Sequence, residues 1–326
     1  MKTNITYSLL AAAAACSLAN AQTTAYTTPV GYETVAVASG FNYHGLRLHQ
    51  AAVAAGTFET VGGSSVTDTG ADFSALSSNP TATFVIEITD GAGVLTQVLG
   101  STVSGSTINT TDNLSAAGVA NGANYRIRPA STLSSVFGAN NSAGLAAGFG
   151  GIGGDIIFIP DGAGGFDQYY YDDLEGSWAD VNGAPVNGAT IPLVYTDTLI
   201  ISATGSLNLV VTGEVKTKKT LAATASGFNY LGSVYPVGAT LASTFDSAIP
   251  DLDKGFGGIG GDIFFVPDGS GGFNQFYYDD LESSWADVNG AAIDGSTIQM
   301  KPGVIFSNDG APMNLKLTPP ASYLNL

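Results

Sequence analysis

A near-duplicate segment is the feature that most restricts how this chain can fold. The residues from Phe149 to Ile191 recur from Phe256 to Ile298, and about 33 of the 43 positions are identical at a constant spacing. A match of this length points to an internal duplication, and a duplicated segment is expected to fold as the same unit twice. The chain is therefore predicted to contain two equivalent modules.

A second match shows that the two copies differ in length. Residues 39–43 (SGFNY) recur at 226–230, which is 187 positions later, whereas the larger repeat is spaced by 107. The difference of about 80 residues places an insertion in the first copy, between about residues 50 and 127. We expect a first module over 22–220 that carries this insertion, and a second, compact module over 221–326.

Short runs of strand-forming residues, separated by Gly, Asn and Asp, occupy most of the chain. Thr81–Thr89 alternates apolar and polar residues, and Asp155–Pro160 and Phe166–Asp172 flank the turn sequence DGAGG. Helical turns are predicted at Thr132–Phe137 and its twin Thr240–Phe245, each with a threonine as N-cap, and Asp172–Asp180 is a further candidate for a short turn. This pattern predicts an all-β fold of two tandem β-sandwich or barrel-like modules, the first with an inserted β subdomain.

The first 21 residues have the pattern of a secretory signal peptide. Lys2 precedes an apolar run that is shorter than the roughly 20 residues needed to span a bilayer, and Ala19–Ala21 fits the small-x-small motif of a cleavage site. We expect cleavage after Ala21, export to the cell surface or medium, and no transmembrane segment thereafter; a retained anchor is the alternative. Cys16 is the only cysteine and lies within this segment, so the mature chain is expected to have neither disulfides nor thiol chemistry.

The charge of the chain restricts its partners. It carries 27 acidic and 10 basic residues, for a formal net charge of −17. A surface of this sign repels phosphate backbones, so nucleic acid is not an expected partner. An extracellular glycan, an envelope component or another copy of the chain fits better, as do divalent cations.

The chain resembles an uncharacterised family of secreted proteins known mainly from verrucomicrobial genomes. The resemblance rests on FVIEITDGAG, YRIRPASTLSSVFG, GGDIIFIPDGAGGFDQYYYDD with the following Trp178, and GFNYLGSVYPVGATLASTF. It covers most of residues 35–317 and implies export and a β architecture. It implies no known activity, so it assigns no functional residue. The closing I-x-PG-x-G motif of the family is only partly kept at Lys301–Val304, and the first copy lacks it.

Acidic residues cluster around the DGAGG and DGSGG turns of the two copies. Hard cations bind several oxygens on flexible loops, and glycine-rich turns let carbonyl groups converge. The spacing matches neither an EF-hand nor a nonapeptide repeat, so a hairpin turn stabilised by Asp-Gly is the alternative. Calcium is the only cofactor considered, and its candidate ligands are Asp161, Asp167, Asp172, Asp173, Asp268, Asp279 and Asp280.

Each copy also carries a row of aromatic residues. In the strand over 166–172, Phe166, Gln168 and Tyr170 share one face and Asp167, Tyr169 and Tyr171 the other. We expect Tyr170 and Tyr277 to pack inside with Trp178 and Trp285. Outward rings flanked by carboxylates can stack on sugars, and the candidates are Tyr169, Tyr171 and Tyr278.

Other catalytic signals are weak. Asp172 and Glu175 are candidates for the carboxylate pair of a hydrolase, which needs two carboxyl groups across a cleft. His44 and His49 do not recur in the second copy and are expected on the surface or in loops. The run Lys216–Lys219 is expected to be a solvated linker.

The leading hypothesis is a non-catalytic exported protein that acts by surface interaction, in adhesion, matrix or cell-envelope structure. A carbohydrate-binding protein is the alternative, and a secreted hydrolase the third. Exposed coplanar aromatic rings on both copies would favour the second class, and a deep pocket that holds paired carboxylates with shifted pKa values would favour the third. Long exposed strand edges would instead favour self-assembly.

Overall fold

The computed structural model describes residues 28–90, 93–149, 154–245, 252–256 and 261–325. Antiparallel β-sheets account for nearly all of the regular structure in these ranges, which confirms the all-β prediction. The only helices described are the short α1 (Ser74–Ser77), α2 (Leu133–Phe137) and α3 (Leu241–Thr244), with 3₁₀ turns at Gly100–Thr102 and Ala321–Asn325. The signal peptide predicted over 1–21, with Cys16, lies outside the described residues.

The first copy consists of two antiparallel sheets that enclose a core. The order is β1-β18-β3 in the smaller sheet and β15-β14-β13-β17-β2 in the larger, with β12 and β16 paired beside them. Val35, Leu209, Ile157 and Ile201 meet between the sheets, so the layers form a sandwich rather than a barrel. The strands are β1 (Val30–Val37), β2 (Gly40–Gly45), β3 (Leu48–His49), β12 (Ser131–Thr132), β13 (Ile156–Pro160), β14 (Phe166–Asp172), β15 (Ser177–Asp180), β16 (Pro192–Leu193), β17 (Thr198–Ala203) and β18 (Leu207–Val215).

The insertion has two sheets and a hydrophobic core of its own. The sheet orders are β4-β11-β7-β8 and β5-β6-β10-β9. Phe58, Phe73 and Tyr125 are buried at the centre of this second core, where the rings of Phe58 and Tyr125 stack at 4.0 Å. The strands are β4 (Ala54–Thr57), β5 (Thr60–Val61), β6 (Ser65–Thr67), β7 (Thr83–Ile88), β8 (Leu95–Leu99), β9 (Val103–Ser104), β10 (Thr107–Asn109) and β11 (Asn124–Pro129).

The second copy repeats the architecture of the first in compact form. Its larger sheet has the order β20-β25-β21-β22-β23-β24, and β19 pairs with β26 as β1 pairs with β18. Thr132 and Thr240 form matching capping boxes at the starts of α2 and α3, as predicted. The strands are β19 (Thr220–Thr224), β20 (Gly227–Gly232), β21 (Ile263–Pro267), β22 (Phe273–Asp279), β23 (Ser284–Asp287), β24 (Ala292–Ile293), β25 (Gly303–Asn308) and β26 (Met313–Leu317).

The two copies dock through pairs of equivalent contacts. The Gly45 N–H donates to the Pro302 carbonyl at 3.0 Å, and the Gly232 N–H donates to the Thr196 carbonyl at 2.8 Å. Gly45 and Gly232 occupy equivalent positions, so the same glycine of each copy donates across the junction. The acceptors are one position out of step, because the strand registers align Thr198 with Gly303 and make Asp197, not Thr196, the equivalent of Pro302.

Aromatic contacts across the junction follow the same relation. The Tyr43 ring meets the Phe273 ring at 5.0 Å, and the Tyr230 ring meets the Phe166 ring at 4.7 Å, both edge to face. Side chains of both copies belong to one continuous hydrophobic core. The two copies are thus packed against each other. The division into modules near residue 220 stays a prediction from the sequence.

Candidate functional site

The aspartates at the glycine-rich hairpin turns are engaged by the backbone of the turn itself. Asp161 Oδ1 accepts hydrogen bonds from the N–H groups of Ala163 at 2.7 Å and Gly165 at 2.9 Å. These bonds hold the pKa of the Asp161 carboxyl below its ordinary value. Asp268 makes the equivalent bonds in the second copy, to Ser270 at 2.7 Å and Gly272 at 3.0 Å. This geometry is that of a side-chain-stabilised turn.

The other candidate calcium ligands do not converge on one point. Asp172 and Asp279 are buried, and each Oδ1 accepts a backbone N–H two residues later, from Leu174 and from Leu281, at 2.8 Å. By contrast, Asp167, Asp173 and Asp280 are exposed. In the described ranges, no group of three or more Asp, Glu, His or Cys side chains is arranged to hold a metal ion. Calcium binding stays a prediction.

Tyr170 and Tyr277 are buried, as predicted, but beneath a loop rather than in the main core. Gly148 lies next to the Tyr170 ring, and a Cβ added at Gly148 would lie 3.1 Å from the nearest ring atom. A Cβ added at Gly255 would lie 2.8 Å from the Tyr277 ring. A Cβ at Gly255 would collide with the Tyr277 ring, and a Cβ at Gly148 would make a tight contact with the Tyr170 ring. The backbone at these two glycines therefore covers the outer side of each tyrosine.

The three tyrosines proposed as sugar-binding rings lie on the opposite, core side of the sheets. Tyr169, Tyr171 and Tyr278 are half-buried and pack against the main core. Tyr171 meets Trp178 edge to face at 5.6 Å, and Tyr278 meets Trp285 at 5.7 Å. The expectation that the rings point outward is wrong for Tyr171 and Tyr278, which face the tryptophans. Tyr169 packs against the core but also lines a cleft.

Two buried aspartates, Asp155 and Asp262, bond to the backbone close to Gly148 and Gly255 and were not singled out from the sequence. Asp155 accepts from the Ala146 N–H at 2.9 Å and from the Thr204 N–H at 2.7 Å. Asp262 does the same in the second copy, with the Asp253 and Asp309 N–H groups at 2.8 Å. The signal was present, since a Gly-Gly-Asp sequence precedes the strand in both copies.

A buried cluster of charges joins the insertion to the first copy. The Glu87 carboxylate of β7 forms ion pairs with Arg128 Nε at 3.1 Å and Lys216 Nζ at 3.0 Å. It also accepts a hydrogen bond from the Tyr195 hydroxyl at 2.6 Å. Arg128 also pairs with Glu214 of β18 at 3.1 Å. Burial alone would raise the pKa of the Glu87 carboxyl, but the charges of Lys216 and Arg128 lower it to about 2. These residues bind one another, and the cluster connects the insertion to the first copy.

This cluster corrects two sequence expectations. Lys216 was expected in a solvated linker, but it is buried beside Glu87. His49 was expected on the surface, but it is buried with its ring 4.3 Å from Tyr195, and His44 is half-buried. Burial, with the charges of Arg128 and Lys216, lowers the pKa of His49 to about 3. The insertion supplies Glu87 and Arg128 as partners of the buried groups, and the repeat pattern in the sequence does not indicate these contacts.

A cleft lies among residues of the insertion, the second copy and a hairpin turn of the first copy. It has a volume of about 610 Å³, within the range of about 300–1,000 Å³ that small-molecule sites occupy. Its lining includes Phe228 and Tyr230 of β20, Gln97 and Asp112 of the insertion, and glycines of the turn over 162–165. The cleft thus joins three parts of the chain.

Asp197 lines this cleft and also a smaller one of about 260 Å³, which holds Asp161, Asp167 and Tyr169. Burial raises the pKa of the Asp197 carboxyl to about 6. The smaller cleft is therefore where three of the predicted site residues come together. Neither of the residues proposed for acid-base catalysis, Asp172 and Glu175, lines either cleft.

Comparison of the chain with protein-family models, with curated proteins and with solved structures gives no match. The resemblance to a secreted family therefore stays a prediction. In the part of the chain that the structure describes, no helix has the length and apolar character needed to cross a membrane.

Proposed function

We propose that this chain is a non-catalytic exported protein that acts by surface interaction, and that its partner is another copy of the chain. The observation that carries the proposal is the outer edge of β1, which pairs with no strand among the residues that the structure describes. The signal-like sequence before Ala21 supports export, and the acidic composition supports solubility outside the cell.

The edge of β1 is open in the first copy, whereas its equivalent is covered in the second. Within the described residues, β1 is paired on one side only, with β18. In the second copy, the outer edge of β19 meets the insertion, where the Leu221 N–H donates to the Gly93 carbonyl at 3.0 Å. The chain thus contains its own example of a contact at this edge, namely a backbone carbonyl of the insertion that accepts an outward N–H of the strand.

The hydrogen-bond register identifies the groups left open on β1. The Val215 N–H donates to the Pro29 carbonyl at 2.8 Å, and in an antiparallel pair the residues alternate between bonding inward and pointing outward. The N–H groups of Tyr32 and Thr34 therefore point to the open edge. Thr34 is equivalent to Leu221, the residue that bonds to the insertion.

The side chains of β1 do little to block another strand. Val30 and Tyr32 are 76% and 78% exposed, and Val210 on the neighbouring β18 is 63% exposed. The one charged residue of the strand, Glu33, forms an ion pair with Arg47. Edge strands that avoid association usually carry lysine, proline or a bulge, and β1 (VGYETVAV) has neither a lysine nor a proline.

Sedimentation velocity of the mature chain tests the proposal, from micromolar to submillimolar concentration. The wild type is expected to form dimers or larger species. Thr34→Pro removes one outward N–H and leaves the β1–β18 hydrogen bonds in place, so this variant is expected to be monomeric. Thr34→Ala is the matched control because it keeps the N–H, and it should associate like the wild type.

A second variant covers the case in which Thr34→Pro does not fold. Tyr32→Lys keeps the backbone intact and adds a charge to the edge, which should weaken association at least tenfold. A wild type that is monomeric throughout the range overturns the proposal. So does association that persists unchanged in Tyr32→Lys.

A carbohydrate-binding protein is the second candidate, and the cleft beside Phe228 and Tyr230 favours it. This site stands apart from the β1 edge and depends on different residues. A chain can have both properties, since adhesion and matrix proteins combine association with ligand binding.

A further inference from the structure

We propose that the cleft between the insertion and the second copy binds an uncharged oligosaccharide, with Phe228 and Tyr230 as the stacking rings. The inference does not rest on self-association through β1. It rests on an asymmetry between two aromatic surfaces that the duplication made equivalent.

The duplication gives each copy an exposed phenylalanine on the outer face of its sheet. Phe41 is 62% exposed and Phe228 is 63% exposed. Each ring contacts a second phenylalanine of its own copy, Phe41 with Phe158 at 6.3 Å and Phe228 with Phe265 at 5.9 Å. Exposure by itself therefore does not distinguish the two sites.

The insertion distinguishes them, because it stands opposite only one of the two. Gln97 and Asp112 of the insertion share the cleft with Phe228 and Tyr230. Phe41 lines neither this cleft nor the smaller one beside it. A ligand stacked on Phe228 would thus share its cleft with polar groups of the insertion, whereas a ligand on Phe41 would have neither Gln97 nor Asp112 in reach of the same cleft.

The chemistry of the lining selects the class of ligand. It combines the two rings with a free-standing amide at Gln97, carboxylates at Asp112 and Asp197, and threonine hydroxyls. Aromatic faces favour the C–H faces of sugar rings, while amides and carboxylates bind hydroxyl groups. None of the residues that line the cleft is Lys, Arg or His. With a net charge of −17 on the whole chain, the site disfavours anions.

Some polar groups at the cleft already form hydrogen bonds within the protein, which reduces the number of groups that can contact a ligand. The Asn229 amide bonds to the backbone of Ala225 and Gly227 at 2.8–2.9 Å. Asp112 accepts from the Thr96 hydroxyl. The exposed side chain of Gln97 has no such commitment among the described residues, so we assign to it the first polar contact with the ligand.

The test is titration calorimetry of the mature wild type with uncharged hexasaccharides of β-1,4-glucose, α-1,4-glucose, xylose and mannose. At least one is expected to bind. For that sugar, Phe228→Ala should weaken binding at least tenfold and Gln97→Ala about threefold. Phe41→Ala is the matched control, since it removes an equally exposed ring, and it should leave the affinity unchanged.

Three results would overturn the inference: no binding of any of the four sugars at millimolar concentration, equal loss of affinity in Phe41→Ala and Phe228→Ala, or equally strong binding of an anionic hexauronate. Each assay includes the Tyr32→Lys variant, in which self-association is expected to be weakened, so that a failure of self-association is recognised separately. Release of shorter sugars during the titration would instead contradict the non-catalytic proposal and direct attention to Asp197.

Discussion

The outer strands β1 and β19 occupy equivalent positions in the two copies but have different surroundings. The edge of β19 is covered by the insertion through the bond from Leu221 to Gly93, while β1 has a described partner on one side only. Gly93 makes this approach with a φ of +79°, and a Cβ there would lie 2.4 Å from the Lys219 carbonyl oxygen. The comparison shows that one duplicated unit can keep an open edge while the other has its edge covered by a segment of the same chain.

The aromatic surfaces repeat this contrast. Phe41 and Phe228 are equally exposed, yet only Phe228 has the insertion opposite it. Duplication therefore provides two equal surfaces, and the insertion in one copy makes the other copy's surface into a cleft. The charge cluster around Glu87 connects the insertion to the first copy. Substitutions in this cluster should therefore have the largest effect on the difference between the two copies.

Glu87→Ala is expected to have the largest effect. It leaves Arg128 and Lys216 buried without their shared counter-charge, which typically lowers the free energy of unfolding by about 3–5 kcal/mol. Urea denaturation of the mature chain measures the loss. Glu59→Ala is the control, because Glu59 is exposed and bonds only to Thr69 of the same insertion, and it should change stability by less than about 1 kcal/mol.

A result within about 1 kcal/mol of the wild type for Glu87→Ala would contradict the role given to the cluster. Two separate unfolding transitions in the variant would sharpen the comparison instead. They would show that the insertion, with its own core, has been released from the copies.

The pH dependence of stability is expected to reveal His49. Its pKa is about 3 in the folded chain and 6.5 when unperturbed, so between these values the unfolded chain binds a proton that the folded chain excludes. Stability therefore falls as the pH decreases from 6.5 to 3, and the contribution between pH 6.5 and pH 4 is about 3 kcal/mol. Glu87 adds a further loss in the same direction as the pH falls from 4.5 to about 2.

His49→Phe removes this titration and keeps an aromatic ring beside Tyr195. Urea denaturation at pH 8, 6 and 4 should show wild type and variant running parallel from pH 8 to pH 7 and diverging below pH 6.5, with the wild type losing more. Parallel curves down to pH 4 would mean that His49 accepts a proton in the folded chain. The insertion side of the first copy would then be less tightly packed than the charge cluster indicates.

Much of the fold could be predicted from the sequence because it is encoded locally. The alternation in Phe166–Asp172, the DGAGG turn and the threonine N-caps at Thr132 and Thr240 each depend on residues within a few positions. The burial of Trp178 followed from its size and apolar character. The duplication then transferred each local prediction to the second copy.

The candidate site could not be predicted in the same way, because its parts meet only after folding. Lys216 looked like one of four solvated residues, and only the distant Glu87 makes it buried. The outward direction expected for Tyr171 failed because Gly148, more than twenty residues earlier, covers its neighbour Tyr170 on the other face, while Tyr171 packs against the main core. The cleft depends on where the insertion docks, and no local pattern specifies that position.

The contact between the copies gives the smallest expected effect and the most direct test of their equivalence. A Cβ at Gly45 would lie 2.4 Å from the Gly232 Cα, and a Cβ at Gly232 would lie 2.4 Å from the Tyr195 carbonyl oxygen. Either alanine forces the backbones apart, which should lower the free energy of unfolding by about 1–3 kcal/mol. Gly205→Ala is the control, because a Cβ there meets nothing within 4 Å.

Thermal unfolding of the three single variants and of the double variant measures the effect. If a twofold relation governs the junction, Gly45→Ala and Gly232→Ala should cost the same within about 0.5 kcal/mol, and the double variant should cost less than their sum, since both substitutions strain one contact. Unequal single effects with full additivity would show that the copies meet at two independent contacts. The similarity of the paired bonds at Gly45 and Gly232 would then reflect common ancestry rather than a shared axis.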